Sequence, residues 1–343
     1  MEIFKEFGAA RLHEIISNIR NVHIALIGDL CLDVYWKADM TRSELSRETP
    51  HYPLPVVEER MSPGAGGNVA ANISALKPGS TKILGVIGKD WRGDVLSSKL
   101  KEYDVDTRDI VVSNKAITNA YCKPLRKGIS HVEYEDPRID FLNYEQLPKQ
   151  DEEELLYRLE RCIGSIDILC VSDQLPIGCI TPVIREKILY YARQGLKVVV
   201  DSRDRIGLYR GVILKPNEIE GYRAVHKDSN PSNAVFEDYV ETAKSLVSMY
   251  ESEVCMTLGA QGCLYADPST VFHIPAVDVT PPIDICGAGD TFLSAFSCAL
   301  ASEATPVEAA YFANIAAEVT IKKTGITGTA TTEEIIKRYI NSR

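Results

Sequence analysis

Short, uninterrupted apolar runs recur along this chain, each ending in a polar residue, and the stretches between them carry helical periodicity. His23-Ile-Ala-Leu-Ile-Gly28, Asp167-Ile-Leu-Cys-Val-Ser172 and Lys197-Val-Val-Val-Asp201 are apolar at every interior position. A strand with one face in water would alternate; these must be covered on both faces, and the alternation with helical stretches makes helices the covering elements. The pattern predicts a doubly wound, mostly parallel sheet in a three-layer α/β/α domain. Further strands are expected near 81–87, 212–215 and 253–258, with a hairpin at 262–274. Helices are expected from about Phe4 to Ile19 and near 67–77, 91–102, 150–163, 181–194, 217–226, 234–250, 290–302, 305–322 and 332–341.

Two stretches, roughly 31–62 and 108–147, break that rhythm. They are rich in Tyr, Val, Thr and Pro, and Ala116-Ile-Thr-Asn-Ala-Tyr-Cys-Lys-Pro-Leu125 before Gly128 has the character of strand and turn. They are expected to form a small β lid inserted into a single domain over 1–343. No internal repeat or low-complexity segment is present.

The chemistry is expected where Asp284-Ile-Cys-Gly-Ala-Gly-Asp290 enters the small-residue run Thr291-Phe-Leu-Ser-Ala-Phe-Ser-Cys-Ala-Leu300. Gly287, Ala288 and Gly289 permit a tight turn that leaves amides facing outward at a helix start, a place that binds anions. A carboxylate there, Asp290, repels a phosphate unless it serves a neighbouring group, and taking a proton from an attacking hydroxyl is such a service. Taken alone, the tetrapeptide is equally a turn with an acidic helix cap.

Two other segments weigh on the choice. Ser62-Pro-Gly64-Ala-Gly66-Gly67-Asn68-Val-Ala-Ala-Asn72 leads glycines into a second small-residue helix. Asn68 and Asn72 lie one turn apart on one face, which suits recognition of hydroxyls, although close helix packing explains the glycines as well. Val212-Ile-Leu-Lys-Pro216-Asn217-Glu218-Ile-Glu220 is a strand stopped by proline before an acidic helix start. Asn217 and Glu220 are hard oxygen donors of the kind Mg²⁺ accepts, or an ordinary capping pair.

Gly64-Ala-Gly-Gly-Asn68, Pro216-Asn217-x-x-Glu220 and Asp284-x-x-Gly287-Ala-Gly-Asp290, in that order and spacing, make the chain resemble the ribokinase-like carbohydrate kinases, the phosphofructokinase B family, over nearly its whole length. The front end, Gly28-Asp29-x-x-Leu32-Asp33-x-Tyr35-Trp36 with Ser46-Arg-Glu48-Thr-Pro50 and Pro53-Leu-Pro55-Val-Val57, is most similar to the heptose-phosphate kinase branch. The resemblance implies transfer of the ATP γ-phosphoryl group to a hydroxyl of a sugar or sugar phosphate. Asp290 would be general base and the Gly287–Gly289 backbone the anion hole. Asp33, Gly64, Gly66, Gly67, Asn68 and Asp173 would bind the acceptor. Asn217, Thr257, Gly259, Gly262 and Asn314 would contact the nucleotide, with Asn217 and Glu220 organising Mg²⁺ through water. It also allows a monovalent cation near Asp284 and a homodimer joined through the lid. A nucleoside or vitamin kinase of the same fold is the runner-up, to be recognised by an aromatic-lined acceptor pocket; a non-catalytic sugar-binding protein is a third reading.

Asp29, Asp33, Asp173, Asp201, Asn217 and Gly259 each follow an expected strand, at the edge where open parallel sheets bind ligands. No Gly-x-x-x-x-Gly-Lys-Ser/Thr loop occurs and neither glycine cluster fits Gly-x-Gly-x-x-Gly after a strand, which disfavours P-loop ATPases and dinucleotide oxidoreductases. A formal net charge of -10 opposes binding to nucleic acid or an anionic membrane, so a phosphorylated ligand needs local cations. Arg42, Arg47, Lys123, Arg126 and Arg203 are cations that lie in the inserted segments or at a strand end. The nine cysteines form no Cys-x-x-Cys pair and read as small buried apolar residues. Without a basic, apolar leader at Met1-Glu-Ile-Phe-Lys-Glu, the cytoplasm is the expected location.

Overall fold

A computed structural model of the chain describes residues 1–130, 132–227, 231–325 and 327–342. In chain order the front half contains β1 (Glu2–Ile3), α1 (Ala9–Ile19), β2 (His23–Gly28), β3 (Leu30–Asp39), β4 (Val56–Ala65), α2 (Gly66–Ala75), β5 (Ser80–Gly88) and α3 (Trp91–Glu102). Then come β6 (Ile110–Ser113), β7 (Asn119–Lys127), β8 (Glu133–Glu135), β9 (Ile139–Phe141), α4 (Lys149–Ile163), β10 (Ile168–Asp173), α5 (Pro182–Arg193) and β11 (Lys197–Ser202). The last third has β12 (Ile213–Leu214), α6 (Glu218–Val225), α7 (Phe236–Tyr250), β13 (Glu253–Thr257), β14 (Cys263–Ala266), β15 (Val271–Ile274), α8 (Ala288–Ala301), α9 (Pro306–Thr320) and α10 (Thr332–Asn341).

The main sheet runs β1-β15-β14-β13-β12-β11-β10-β2-β5-β6 and is parallel from β13 to β6, with the β13–β14–β15 meander antiparallel at one side. Its apolar strands divide their side chains between two cores, as a two-period strand must. Ile24, Leu26, Ile168, Cys170 and Val199 pack with α1, α2, α8 and α9, whereas Ala25, Ile27, Leu169, Val171, Val198 and Val200 pack with α4, α5 and α7. The helices start where the sequence supplies caps. Asp90 accepts from Gly93 N, Thr181 caps α5 ahead of Pro182, and Thr305–Glu308 and Thr331–Glu334 form reciprocal capping boxes.

A second sheet has the order β4-β3-β7-β8, with β9 also paired to β7. It comes from the two stretches that broke the rhythm, with two differences. Ile110–Ser113, inside the expected lid segment, extends the main sheet beside β5 instead, and position 131 of that segment lies outside the described residues. The opening helix starts at Ala9, not Phe4, because Glu2 and Ile3 pair with β15 while Phe4 and Phe7 turn their rings edge-on to Tyr311. Among the described residues all nine cysteines are free, Cys286 alone being exposed, and no helix is long and apolar enough to cross a membrane.

The chain leaves β2 in both directions across the sheet, toward β5 and toward β10. Crevices of such sheets open at the carboxyl ends of the strands near that reversal. The polar residues that end β10, β11, β12 and β13 share that rim.

Candidate active site

Helix α8 begins at the corner singled out by the sequence. Gly287 precedes it in the left-handed region, at φ 80°, with no side chain capping the helix. Any Cβ there would sit 2.7 Å from Thr327 Cγ2 and 2.8 Å from Asn68 Nδ2, so glycine is required by space as well as by conformation. Of the amides expected to face outward, Ala288 N is already bonded to Ile285 O at 3.1 Å. Those of Gly287, Gly289 and Asp290 meet no acceptor among the described residues. Asp284 holds the preceding turn, its two carboxylate oxygens accepting from Cys286 N and Gly325 N, each at 3.0 Å.

Asp290, half-buried, stands in the first turn of α8 and accepts a 2.7 Å hydrogen bond from Asn68 Nδ2. Burial lifts its pKa to about 7; the Asn68 bond and Lys215 pull it down, while Asp201 and Asp33 push it up. Lys215 follows β12 directly and is 3% exposed at its side chain, with Nζ 2.9 Å from Asp201 Oδ2 and beside the turn at Gly289. Burial alone would lower the pKa of this ammonium, but the carboxylates of Asp201, Glu220 and Asp290 outweigh it and keep the group charged. The unfilled amides, the ammonium and the carboxylate therefore share one corner, where a phosphoryl group can be held and a hydroxyl deprotonated.

Register in the second sheet assembles the neighbouring wall. Asp33 pairs with Ser62 and Tyr121, and Tyr35, two residues on, pairs with Arg60 and Lys123. With a side-chain period of two, these six share one face of the sheet. Leu32, Val34, Ala120 and Cys122 take the opposite face into the core. Lys123 Nζ lies 3.1 Å from Tyr35 OH, Arg60 covers the Tyr35 ring at 4.3 Å, and Arg138 covers Tyr121 at 4.4 Å. Burial raises the pKa of Asp33, and Lys123, Arg138 and Arg60 draw it back. Arg138 is paired with Asp140, whereas Lys123 and Arg60 have no ion-pair partner among the described residues. Ser62 Oγ is buried with no hydrogen-bond partner. Gly64 leaves room for Asp33, since a Cβ would come within 2.9 Å of its carboxyl carbon.

On the other side of Asp290 an open cleft with about 510 Å³ of room is lined by Asn217, Glu220, Thr257, Gly259, Gly262 and Asn314. Asn217 and Glu220 form a reciprocal cap on α6: Asn217 Oδ1 accepts from Ile219 N and Glu220 N, and Glu220 Oε2 accepts from Asn217 N at 2.9 Å. The capping reading of this pair is thus realised, and Glu220 Oε1 has no protein hydrogen-bond partner among the described residues. Burial, with Asp201 beside it, raises the pKa of Glu220. The turn after β13 needs its glycines, at φ 56° for Gly259 and 86° for Gly262, and Asn314 donates to Ile274 O at 3.1 Å.

The model of the pfkB family carbohydrate kinases matches residues 24–333. The chain belongs to the pfkB family of carbohydrate kinases. It is 30% identical over 326 residues to the Bifunctional protein HldE of Shewanella piezotolerans, covering 92% of this chain and 62% of that protein. It is likewise 30% identical over 333 residues to that of Mesorhizobium japonicum, covering 94% and 63%. The chain thus spans about three-fifths of the length of these curated relatives. In fold it is similar to Arabidopsis thaliana ribokinase complexed with ribose and ATP, with a TM-score of 0.70 at 18% identity over 93% of this chain and 98% of that one. The phosphofructokinase-2 of Escherichia coli in complex with substrates and products gives 0.71 at 22%, over 94% and 100%.

Within this pfkB-family chain, Asp33, Gly64, Asn68, Asp290 and the Gly287–Gly289 turn are brought together, and Asn217, Thr257, Gly259, Gly262 and Asn314 line the cleft beside Asp290. Gly66 and Gly67 are buried, their missing side chains allowing approach to Asp29 O and to Pro63. Asp29 lies below the site, accepting from Gln174 N, Leu175 N and Cys179 N. Asp173 faces no ligand: its fully enclosed carboxylate pairs with Arg205 and accepts from Ser202 Oγ at 3.0 Å and Tyr209 OH at 2.9 Å. Sequence reasoning passed over Lys215, although its position before Pro216-Asn217 was the available signal. It also passed over Arg60, Tyr35 and Ser62, whose grouping depends on strand register. Because Arg205 balances an enclosed carboxylate, Arg205→Ala should cost about 3 to 5 kcal/mol in urea unfolding. A loss below about 1 kcal/mol would return Asp173 to the candidates for binding.

Proposed function

We propose that this chain transfers the γ-phosphoryl group of ATP to a hydroxyl of a sugar that already carries a phosphate. The observation that carries the transfer is the placing of Asp290 in the same turn as the unfilled amides of Gly289 and Asp290, beside the Lys215 ammonium. The acceptor hydroxyl gives its proton to Asp290 as its oxygen bonds to the γ-phosphorus. The bond to the β-phosphate bridging oxygen breaks and ADP departs. Charge developing on the transferred group meets the α8 amides and Lys215, which do not have to reorganise.

The nucleotide would occupy the cleft side, along Thr257, Gly259, Gly262, Asn217 and Asn314. Among the described residues no group of three or more His, Cys, Asp or Glu side chains can hold a metal ion unaided. That fits Mg²⁺, which keeps several waters and binds mainly through phosphates. Glu220 Oε1, with Asn217, would hold it through water, and the ion would neutralise charge between the β- and γ-phosphates.

On the acceptor side, Asp33 and Ser62 Oγ would meet sugar hydroxyls, and the unpaired Lys123 and Arg60 would meet the phosphate. Arg60 and Lys123 lie against the Tyr35 ring and Arg138 against the Tyr121 ring, which favours a charged acceptor there over a stacked nucleobase or vitamin ring. The resemblance of the front end to heptose-phosphate kinases points the same way.

Asp290→Asn is expected to lower kcat at least about a hundredfold while ATP still binds, the scale of general-base catalysis. Rates near those of the parent would remove Asp290 from the mechanism. Since Asp290 accepts a proton only when ionised and burial places its pKa at about 7, kcat/KM should climb as pH rises through that value. A flat profile between pH 6 and 8, set as assay conditions, would contradict this assignment of the base. In a transfer screen with ATP and Mg²⁺ over hexoses, pentoses, their phosphates, heptose phosphates and nucleosides, the phosphorylated sugars should be preferred. Lys123→Met should then raise KM for the phosphorylated acceptor roughly tenfold or more, as for loss of a charged hydrogen bond, and leave that of its unphosphorylated counterpart little changed. Equal effects on both would assign Lys123 to the sheet alone.

A further inference from the structure

Asn68 and Asn72, one turn apart on α2, look like a pair of hydroxyl readers, but each is only 2% exposed, and Asn72 is bonded to α8 away from Asp290. Its Oδ1 accepts from Thr291 Oγ1 at 2.9 Å, and Thr291, next to Asp290, is 1% exposed. Its Nδ2 lies 3.0 Å from the Asn68 carbonyl oxygen and 3.3 Å from Asn68 Oδ1, with Gly328 O at 3.5 Å. Asn68 Nδ2 in turn donates to Asp290 Oδ2 at 2.7 Å. Three donating side chains thus form one line of hydrogen bonds, from Thr291 through Asn72 and Asn68, that ends on the accepting carboxylate of Asp290.

The direction of this line follows from what each reversal would bring together. Turning the Asn72 amide over would set its oxygen against the Asn68 carbonyl oxygen and Asn68 Oδ1. Turning the Asn68 amide over would set its oxygen against the Asp290 carboxylate. An amide without a defined partner can take either orientation, and burying oxygens against each other is costly.

We propose that Asn72 and Thr291 are positioning residues for phosphoryl transfer: they fix the Asn68 amide with its NH₂ group toward Asp290 and so set the orientation and charge state of that carboxylate. The inference rests on Asp290 being the general base. Neither Asn72 nor Thr291 need touch substrate. The other groups that bear on Asp290 are Lys215 and Asp201 from the ends of β12 and β11, Asp33 and Cys31 from β3, and Cys286 in the loop before α8. None of them is altered by changes at Asn72 or Thr291. An Asn68 amide free to turn its oxygen inward would stop stabilising the ionised form and raise the pKa of Asp290.

The test reads that pKa without substrate or turnover. Aspartate side chains are labelled with ¹³C at the carboxyl carbon in the whole chain, the Asp290 resonance is assigned by its loss in Asp290→Asn, and its pH midpoint is followed by NMR. Thr291→Val, nearly isosteric, and Asn72→Leu are expected to move the midpoint upward by about half a pH unit or more, the scale of one lost hydrogen bond. Thr291→Ser, which keeps the hydroxyl, should restore it. An unmoved midpoint in folded Thr291→Val overturns the proposal even if turnover falls, because packing damage alone would lower the rate without that shift. If instead Asp290→Asn keeps its activity, the base assignment fails while the titration still decides whether the relay acts on Asp290.

Discussion

The close packing of α2 against α8 is the contact on which the site depends. Both helices are built of small residues and are buried nearly all round, and Ser294 Oγ of α8 reaches the Val69 carbonyl of α2 at 3.0 Å. Larger side chains on either face would hold the two backbones farther apart. Through this contact, motifs more than two hundred residues apart in the chain meet at hydrogen-bonding distance, as Asn68 and Asp290 do with |i−j| of 222. The glycines that read as ligand loops are partly the price of that approach: Gly66 and Gly67 pack, while Gly64 and Gly287 clear space for Asp33 and Asn68.

Charge is arranged around the contact in alternating sign. Asp201, Lys215 and Asp290 follow one another from the sheet rim to the α8 turn, with Glu220 close to Lys215, and Asp33 is opposed by Lys123, Arg60 and Arg138. A chain with a net charge of -10 attracts no phosphate by its overall field, so the cations that matter must be local and shielded from competing solvent. Lys215 meets that need because it is buried yet flanked by carboxylates that keep it protonated. Asp290 is the complementary case. Burial raises its pKa toward neutrality, which makes it a better proton acceptor than an exposed aspartate, provided that neighbouring donors keep a useful share ionised.

Much of the frame was legible because it is written in short-range pattern. Uninterrupted apolar strands imply helices on both faces, and the two cores that divide the odd and even residues of β2, β10 and β11 are that implication realised. The glycine turn before α8 was legible for the same reason. What escaped reading depends on distant partners. Glu2 and Ile3 are a strand only because β15 offers an edge, and Ile110–Ser113 joins the main sheet only because β5 leaves one open. The wall with Tyr35, Arg60 and Lys123 in one row follows from pairing register across three separate strands. Asp173 misled by position: it ends a strand at the ligand-binding rim, yet Arg205 and Tyr209 enclose it.

Asn72 sharpens the same point. A polar pair at helical spacing has the same appearance in sequence whether its face meets a ligand or another helix, because i and i+4 share a face in either case. The deciding fact is what covers that face. Here α8 covers both, and their partners differ: the Asn68 amide donates to Asp290 while Asn72 accepts from Thr291, so one member of the pair addresses the carboxylate and the other addresses its neighbour. In a helix made mostly of Gly, Ala, Val and Ile, a buried asparagine is costly unless its donors and acceptors are all used. Hydrogen bonds to Asn68 and Thr291 use them, and they also link the orientation of the side chain facing Asp290 to the packing of the two helices that bring the site together.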